Sequence, residues 1–159
     1  MLFSRILTIH KTISLGNQVT RREIMDSKQL IKRLAEYGEN KIACDWDNVG
    51  LLVEPSGPLE VKKVMVTNDL TEPVLDEAIA KNVNFIISYH PAIFAPLKRL
   101  TQSEWKQRSI VKCIERRIAV YSPHTIWDAI EGGINDWIVR AFGKLILFPS
   151  MTFNINKTD

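Results

Sequence analysis

Asn84-Phe85-Ile86-Ile87-Ser88-Tyr89-His90-Pro91 reads as a fully buried β-strand: an unbroken apolar run that hands a tyrosine and a histidine to a turn fixed by proline. A strand with no polar alternation is covered on both faces, which places it in a parallel or mixed sheet with helices on either side. The surrounding sequence repeats the unit. Val61 to Thr67 is an earlier strand, and Thr71 and Pro73 open a helix that runs to about Lys81. Glu104 to about Arg117 is helical, and Ile118 to Ser122 is a third buried strand leading into Pro123-His124-Thr125-Ile126-Trp127-Asp128. Upstream, Asp26 with Gln29 has the form of a capping box ahead of Leu30, Ile31, Leu34 and Tyr37 at helical spacing. Downstream, Ile134, Trp137, Ile138 and Ala141 recur at i, i+3, i+4 and i+7. The fold class expected is α/β, a parallel or mixed sheet with helices on both faces. In such sheets the carboxyl ends of the strands carry the ligand site, so His90, His124, Asp128 and the Asn68-Asp69-Thr71 cluster emerge at one edge.

Composition bounds the rest. The chain has 159 residues with 45% hydrophobic and 25% charged side chains, enough for one domain with a true core. Its 21 basic and 18 acidic side chains leave a net +3, but four basic residues (Arg5, Lys11, Arg21, Arg22) and one acidic residue (Glu23) fall within the first 24. The remainder carries 17 of each sign and argues against direct nucleic-acid binding. Residues 1–25 form a basic extension of the kind seen in mitochondrial targeting segments, ahead of a second methionine at Met25; the alternative is an untranslated or unordered extension before a cytoplasmic domain. No apolar run has the length of a membrane span. Cys44 and Cys113 are isolated and read as core thiols of a reducing compartment. The body runs over residues 26–142. Residues 143–159 form a divergent tail whose Leu145-Ile146-Leu147-Phe148 reads as an apolar patch or edge strand.

Imidazole and carboxylate converging on one edge point to a divalent metal, with zinc, manganese, iron or nickel all compatible with that donor set. His90 is a candidate ligand or a hydrogen-bonded structural histidine. Asp128 is a candidate ligand or the cap of a following helix. His124 is a ligand, an orienting group or a proton-transfer group, and Asp69 a general base or a turn-capping residue. Tyr89 reads as packing. In the loop Trp46-Asp47-Asn48, burial of Trp46 fixing a turn is the plainer expectation and a pocket-lining role the sharper one. Ser122, His124 and Asp128 lack a nucleophile elbow, and no phosphate-binding glycine loop is present. Lys98, Arg99, Lys106, Arg108, Lys112, Arg116 and Arg117 read as a solvated helix face able to attract a small phosphorylated substrate.

These stretches resemble the Nif-three-like family (NGG-one-interacting factor three-like proteins, also called GTP cyclohydrolase type 2-like or dinuclear metal-centre proteins). The likeness is carried by Trp46-Asp47-Asn48-Val49-Gly50-Leu51, Thr67-Asn68-Asp69-Leu70-Thr71, Ile87-Ser88-Tyr89-His90-Pro91-Ala92-Ile93-Phe94, Lys98-Arg99, Tyr121 to Ala129, and Gly133-Ile134-Asn135-Asp136. The resemblance implies one lobe of a two-lobed, oligomeric α/β protein with two divalent metals between the lobes. It implies that His90 and Asp128 are metal ligands, that His124 matches the nearby His-Thr position, and that Tyr89 stands where a first histidine would be. The family's carboxyl-lobe His-x-x-x-Glu has no counterpart here, so the expectation is an incomplete site. It also implies a metal-dependent hydrolase acting on a nucleotide-like or phosphorylated substrate, inactive in this chain. The alternative is a non-catalytic interaction protein tied to transcriptional regulation, meeting a protein partner or further copies of itself.

Overall fold

The computed structural model describes residues 5–8, 25–38 and 43–143. The elements run β1 (Arg5–Thr8), β2 (Met25–Asp26), α1 (Ser27–Gly38), β3 (Gly50–Val53), β4 (Glu60–Val61) and β5 (Lys63–Thr67). They continue with α2 (Glu72–Ala80), β6 (Phe85–Ser88), α3 (Trp105–Glu115), β7 (Ala119–Ser122), α4 (Thr125–Ala129) and α5 (Ile134–Arg140). A five-stranded sheet has the order β1-β5-β6-β7-β3, and β2 pairs separately with β4. The central β5, β6 and β7 are parallel, in the register Val66↔Ile87↔Tyr121. The outer strands β1 and β3 run antiparallel to their neighbours. The sheet is therefore mixed.

Alternation along β6 shows why its sequence is apolar throughout. Ile86 faces one core with Met65, Val120, and the buried sides of α2 and α3 (Val74, Leu75, Ala78, Ile110, Cys113). Phe85 and Ile87 face the other, with Val64, Ala119 and Tyr121, under Leu30, Ile31 and Leu34 of α1 and Trp127 of α4. Both faces are covered, as a buried parallel strand requires. Asp26 caps α1 by accepting the Lys28 N–H at 2.7 Å. Thr71 precedes α2 in extended backbone with Pro73 in the first turn, yet its hydroxyl is buried without a partner among the described residues.

Three sequence expectations change. Gly50–Val53, read as the end of a loop, is a strand on β7; its four residues begin at a glycine with φ 95° and carry no period long enough to detect. Arg5–Thr8, read as part of the basic extension, pairs with β5 at the sheet edge. The basic face of α3 is partly spent in clamps. Arg108 holds Glu72 through two bonds of 2.9 and 3.0 Å, and Lys112 reaches Asp76 at 2.6 Å. Arg117 donates to the carbonyls of Ser56 and Pro58. The Arg108 guanidinium holds the Glu72 carboxyl below its ordinary range. The Leu145 to Phe148 patch lies outside the described residues.

Candidate functional site

Three parallel strands end side by side, and each delivers one polar group to the same edge: Asp69 after β5, His90 after β6, His124 after β7. The antiparallel β3 adds a fourth, because Gly50 pairs with Ser122 and so places the preceding Asp47 beside the end of β7. The row contains two bonded pairs. His90 Nδ1 meets Asp69 Oδ1 at 2.8 Å, and His124 Nδ1 meets Asp47 Oδ1 at 2.7 Å. The imidazole centroids are 5.9 Å apart.

Backbone geometry holds this row. The Tyr89 and His90 N–H groups donate to Thr67 and Asn68 carbonyls at 2.9 Å, extending the β5–β6 ladder past the strand. The buried Ser88 hydroxyl donates to the His90 carbonyl at 2.7 Å, and the buried Ser122 hydroxyl to that of Tyr89 at 2.9 Å. His124 sits at φ 36°, a left-handed conformation uncommon outside glycine, and its N–H donates to the Tyr89 carbonyl at 3.2 Å. Strained backbone of this kind is stored where surrounding bonds over-determine it.

Asp47 is the most enclosed member: its side chain has no solvent exposure. Burial pushes its carboxyl pKa upward, but bonds from the Thr125 hydroxyl, His124 and the Asn48 N–H outweigh burial and leave it below the ordinary aspartate value. The ionised carboxylate only accepts, so Nδ1 of His124 carries the proton and Nε2 keeps a lone pair. At His90 the same Nδ1-to-carboxylate contact is made to Asp69 at a more open position, the two side chains being 51% and 56% exposed. In each case a carboxylate meets Nδ1 while Nε2 makes no bond among the described residues, the arrangement that backs metal-binding histidines.

Tyr89 links this row to Asp128. Its ring lies 5.1 Å from that of His90 and 5.9 Å from that of His124, and its hydroxyl donates to Asp128 Oδ1 at 2.6 Å. Burial and the neighbouring carboxylate both raise the phenol's pKa, so it remains a donor. Tyr89 thus does more than pack. Asp128 lies within α4, and it is Asp136 that accepts the Gly132 N–H ahead of α5. Trp46, expected to fix its turn by burial, is 62% exposed. The turn is held instead by Asp47 and by Asn48 Nδ2, which donates to the Ile93 carbonyl at 2.6 Å. Reading the sequence missed Asp47 as the partner of His124. Its only signal was a carboxylate among the polar residues of that loop.

The donor set fits part of a metal's coordination shell. Two oriented imidazole Nε2 atoms and the second Asp128 oxygen are the open donors, but among the described residues no three His, Cys, Asp or Glu side chains are grouped to hold a metal ion. No helix among those residues is long and apolar enough to cross a membrane.

Fold and site together define an α/β lobe with a histidine- and carboxylate-lined edge. Residues 25–149 match the family model for Duf34/NIF3 (NGG1p interacting factor 3), and the chain belongs to that family. It is 49% identical over 120 residues to NIF3-like protein 1 of Drosophila melanogaster, covering 76% of this chain and 41% of that one. A Bacillus subtilis relative named GTP cyclohydrolase 1 type 2 homolog is 39% identical over 138 residues, with 84% and 36% covered. The crystal structure of a Bacillus cereus protein related to NIF3 superposes with a TM-score of 0.69 at 33% identity, covering 76% of this chain and 33% of that one. The chain therefore spans about two fifths or less of these relatives, consistent with one lobe of a larger fold.

Proposed function

We propose that this chain supplies one part of a divalent-metal centre for water-dependent hydrolysis of a nucleotide-like or phosphorylated substrate, with the remaining ligands coming from outside the described residues. The observation that carries the reading is the pair of imidazoles 5.9 Å apart and edge-on to each other, each with Nδ1 held by a carboxylate and Nε2 without a bond among the described residues. A divalent cation bound there supplies Lewis acidity and a lowered pKa for water. His90 through Nε2 and Asp128 through its free oxygen are the ligands. His124 accepts a proton at Nε2, and Asp47 stabilises the imidazolium that results. Asp69 orients His90 and keeps its second oxygen in solvent for proton transfer. The name of the Bacillus subtilis relative supports a nucleotide as the substrate class.

Few ligands hold a metal weakly, since catalytic sites take about three protein ligands. Calorimetric titration of zinc into the intact chain is expected to show at most one weak site, lost in His90→Ala. Two tight sites on the wild-type chain, or unchanged binding in His90→Ala, would refute the proposal.

A second reading is favoured by a different surface. Tyr37, Trp127, Ile130, Ile134 and Trp137 line an apolar groove of about 260 Å³, in which Trp137 is largely exposed. An interaction protein would use such a face, independently of the metal. Sedimentation of wild-type and Trp137→Glu chains distinguishes self-association through this face from a monomer.

A further inference from the structure

We infer that Trp46 and Phe94 form a stacking platform for the planar heteroaromatic ring of a mononucleotide beside the paired imidazoles. The inference rests on the proposed hydrolytic reading for its substrate class, and on a separate set of residues for its evidence. Trp46 is 62% exposed and Phe94 49% exposed, although both come from loops that dock on the site. Their rings lie 6.3 Å apart at 61°, and each lies edge-on to His124, at 6.4 and 6.3 Å. The two loops are tied together by the 2.6 Å bond from Asn48 Nδ2 to the Ile93 carbonyl, one residue from Phe94. The neighbouring Asp47 is locked to His124.

Two large aromatic faces held in place at the mouth of a polar site are not explained by packing, because neither is buried. At 61° they leave no parallel slot, so an incoming ring stacks on the open face of Trp46 and meets the edge of Phe94. Preplaced rings lose little entropy on binding. Farther along the Phe94 loop, Lys98 and Arg99 are exposed and have no ion pair among the described residues, in contrast to Arg108 and Lys112. They supply the positive charge that the phosphate of a mononucleotide requires. A flat nitrogen heterocycle with an anionic tail matches both features.

The test is titration of guanosine 5′-monophosphate into the intact chain in chelator, followed by tryptophan fluorescence, with guanosine and ribose 5-phosphate in parallel. Saturable binding is expected for the nucleotide and, more weakly, for guanosine, and not for ribose 5-phosphate. Stacking per base converts to a loss of about 5- to 140-fold in affinity for Trp46→Leu, with Trp46→Phe restoring most of it. Phe94→Leu, with Trp46 intact as reporter, is expected to weaken binding less. Absence of saturable binding by the wild-type chain, or equal affinity in Trp46→Leu by calorimetry, overturns the platform. Trp46 is exposed, so its variants are expected to unfold in urea as the wild type does. Zinc titration of the wild type and His90→Ala, run beside nucleotide titration of Trp46→Leu, separates the two proposals: the platform fails alone if zinc still requires His90 while nucleotide binding ignores Trp46. The metal reading fails alone in the converse case.

Discussion

Replacing Asp47 by alanine removes the carboxylate on which His124 and Thr125 depend. Four groups lose their acceptor: His124 Nδ1 at 2.7 Å, the Thr125 hydroxyl, the Asn48 N–H at 2.7 Å and the Thr125 N–H at 3.4 Å. Bonds to a charged acceptor contribute about 1.5 to 3 kcal/mol each, and cooperative relaxation returns part of that. Leaving buried donors without an acceptor costs about 1 to 3 kcal/mol, which we adopt for Asp47→Ala. Urea unfolding followed by circular dichroism measures it. The pH dependence follows in sign. The folded-state pKa of Asp47 lies below its ordinary value, so its stabilising contribution is complete above the unfolded aspartate pKa of about 3.9. That contribution fades as pH falls toward and through the folded value, and the gap between wild type and variant closes with it. Nitrogen NMR of His124 adds a readout that stability alone does not give: Nδ1 protonated in the wild type, a mixture of tautomers in the variant. A cost below about 0.5 kcal/mol, within the usual range for surface changes, together with an unchanged tautomer, would refute the assigned role of Asp47.

Tyr89→Phe removes the donor to Asp128 and is expected to cost about 1.5 to 3 kcal/mol at neutral pH in the same assay. Because the folded phenol pKa is raised, that difference is present below the unfolded tyrosine value of about 10 and shrinks as pH climbs above it. Gly133→Ala drives a Cβ into the Trp127 carbonyl oxygen and to 2.8 Å from that of Ile130, both backbone atoms that cannot swing aside. Overpacking of about 1 to 3 kcal/mol and displacement of α5 are expected, visible as a change in Trp127 and Trp137 fluorescence. Cys113 is fully buried and its thiol is pushed up to about 12, whereas Cys44 is half-buried. Ellman's reagent at pH 8 is expected to label one thiol per native chain and two after denaturation.

The central strands were legible because burial on both faces writes itself as an uninterrupted apolar run, as in Phe85-Ile86-Ile87. The helices on either side showed through their spacing and, for α1, through the Asp26 cap. β3 was not legible, since its four residues sit in the sheet by pairing with Ser122, Tyr121 and Val120 and carry no signal of their own. The site was half legible. Strand-end positions gave Asp69, His90, His124 and Asp128, but their partners are set across long stretches of chain: Asp47 and His124 are 77 residues apart, Tyr89 and Asp128 are 39 apart. The exposure of Trp46 likewise follows from where its loop docks. A tryptophan's size alone favours burial.

The two imidazoles grow from neighbouring parallel strands, whose separation is a property of peptide hydrogen bonding, about 4.8 Å. Their 5.9 Å spacing therefore starts from a pitch set by the sheet. Insertions or replacements in the loops beyond them can alter what approaches the pair, and how strongly it is held, without changing the gauge between the two rings. A family built on this edge can diversify its clientele while the ruler stays the same.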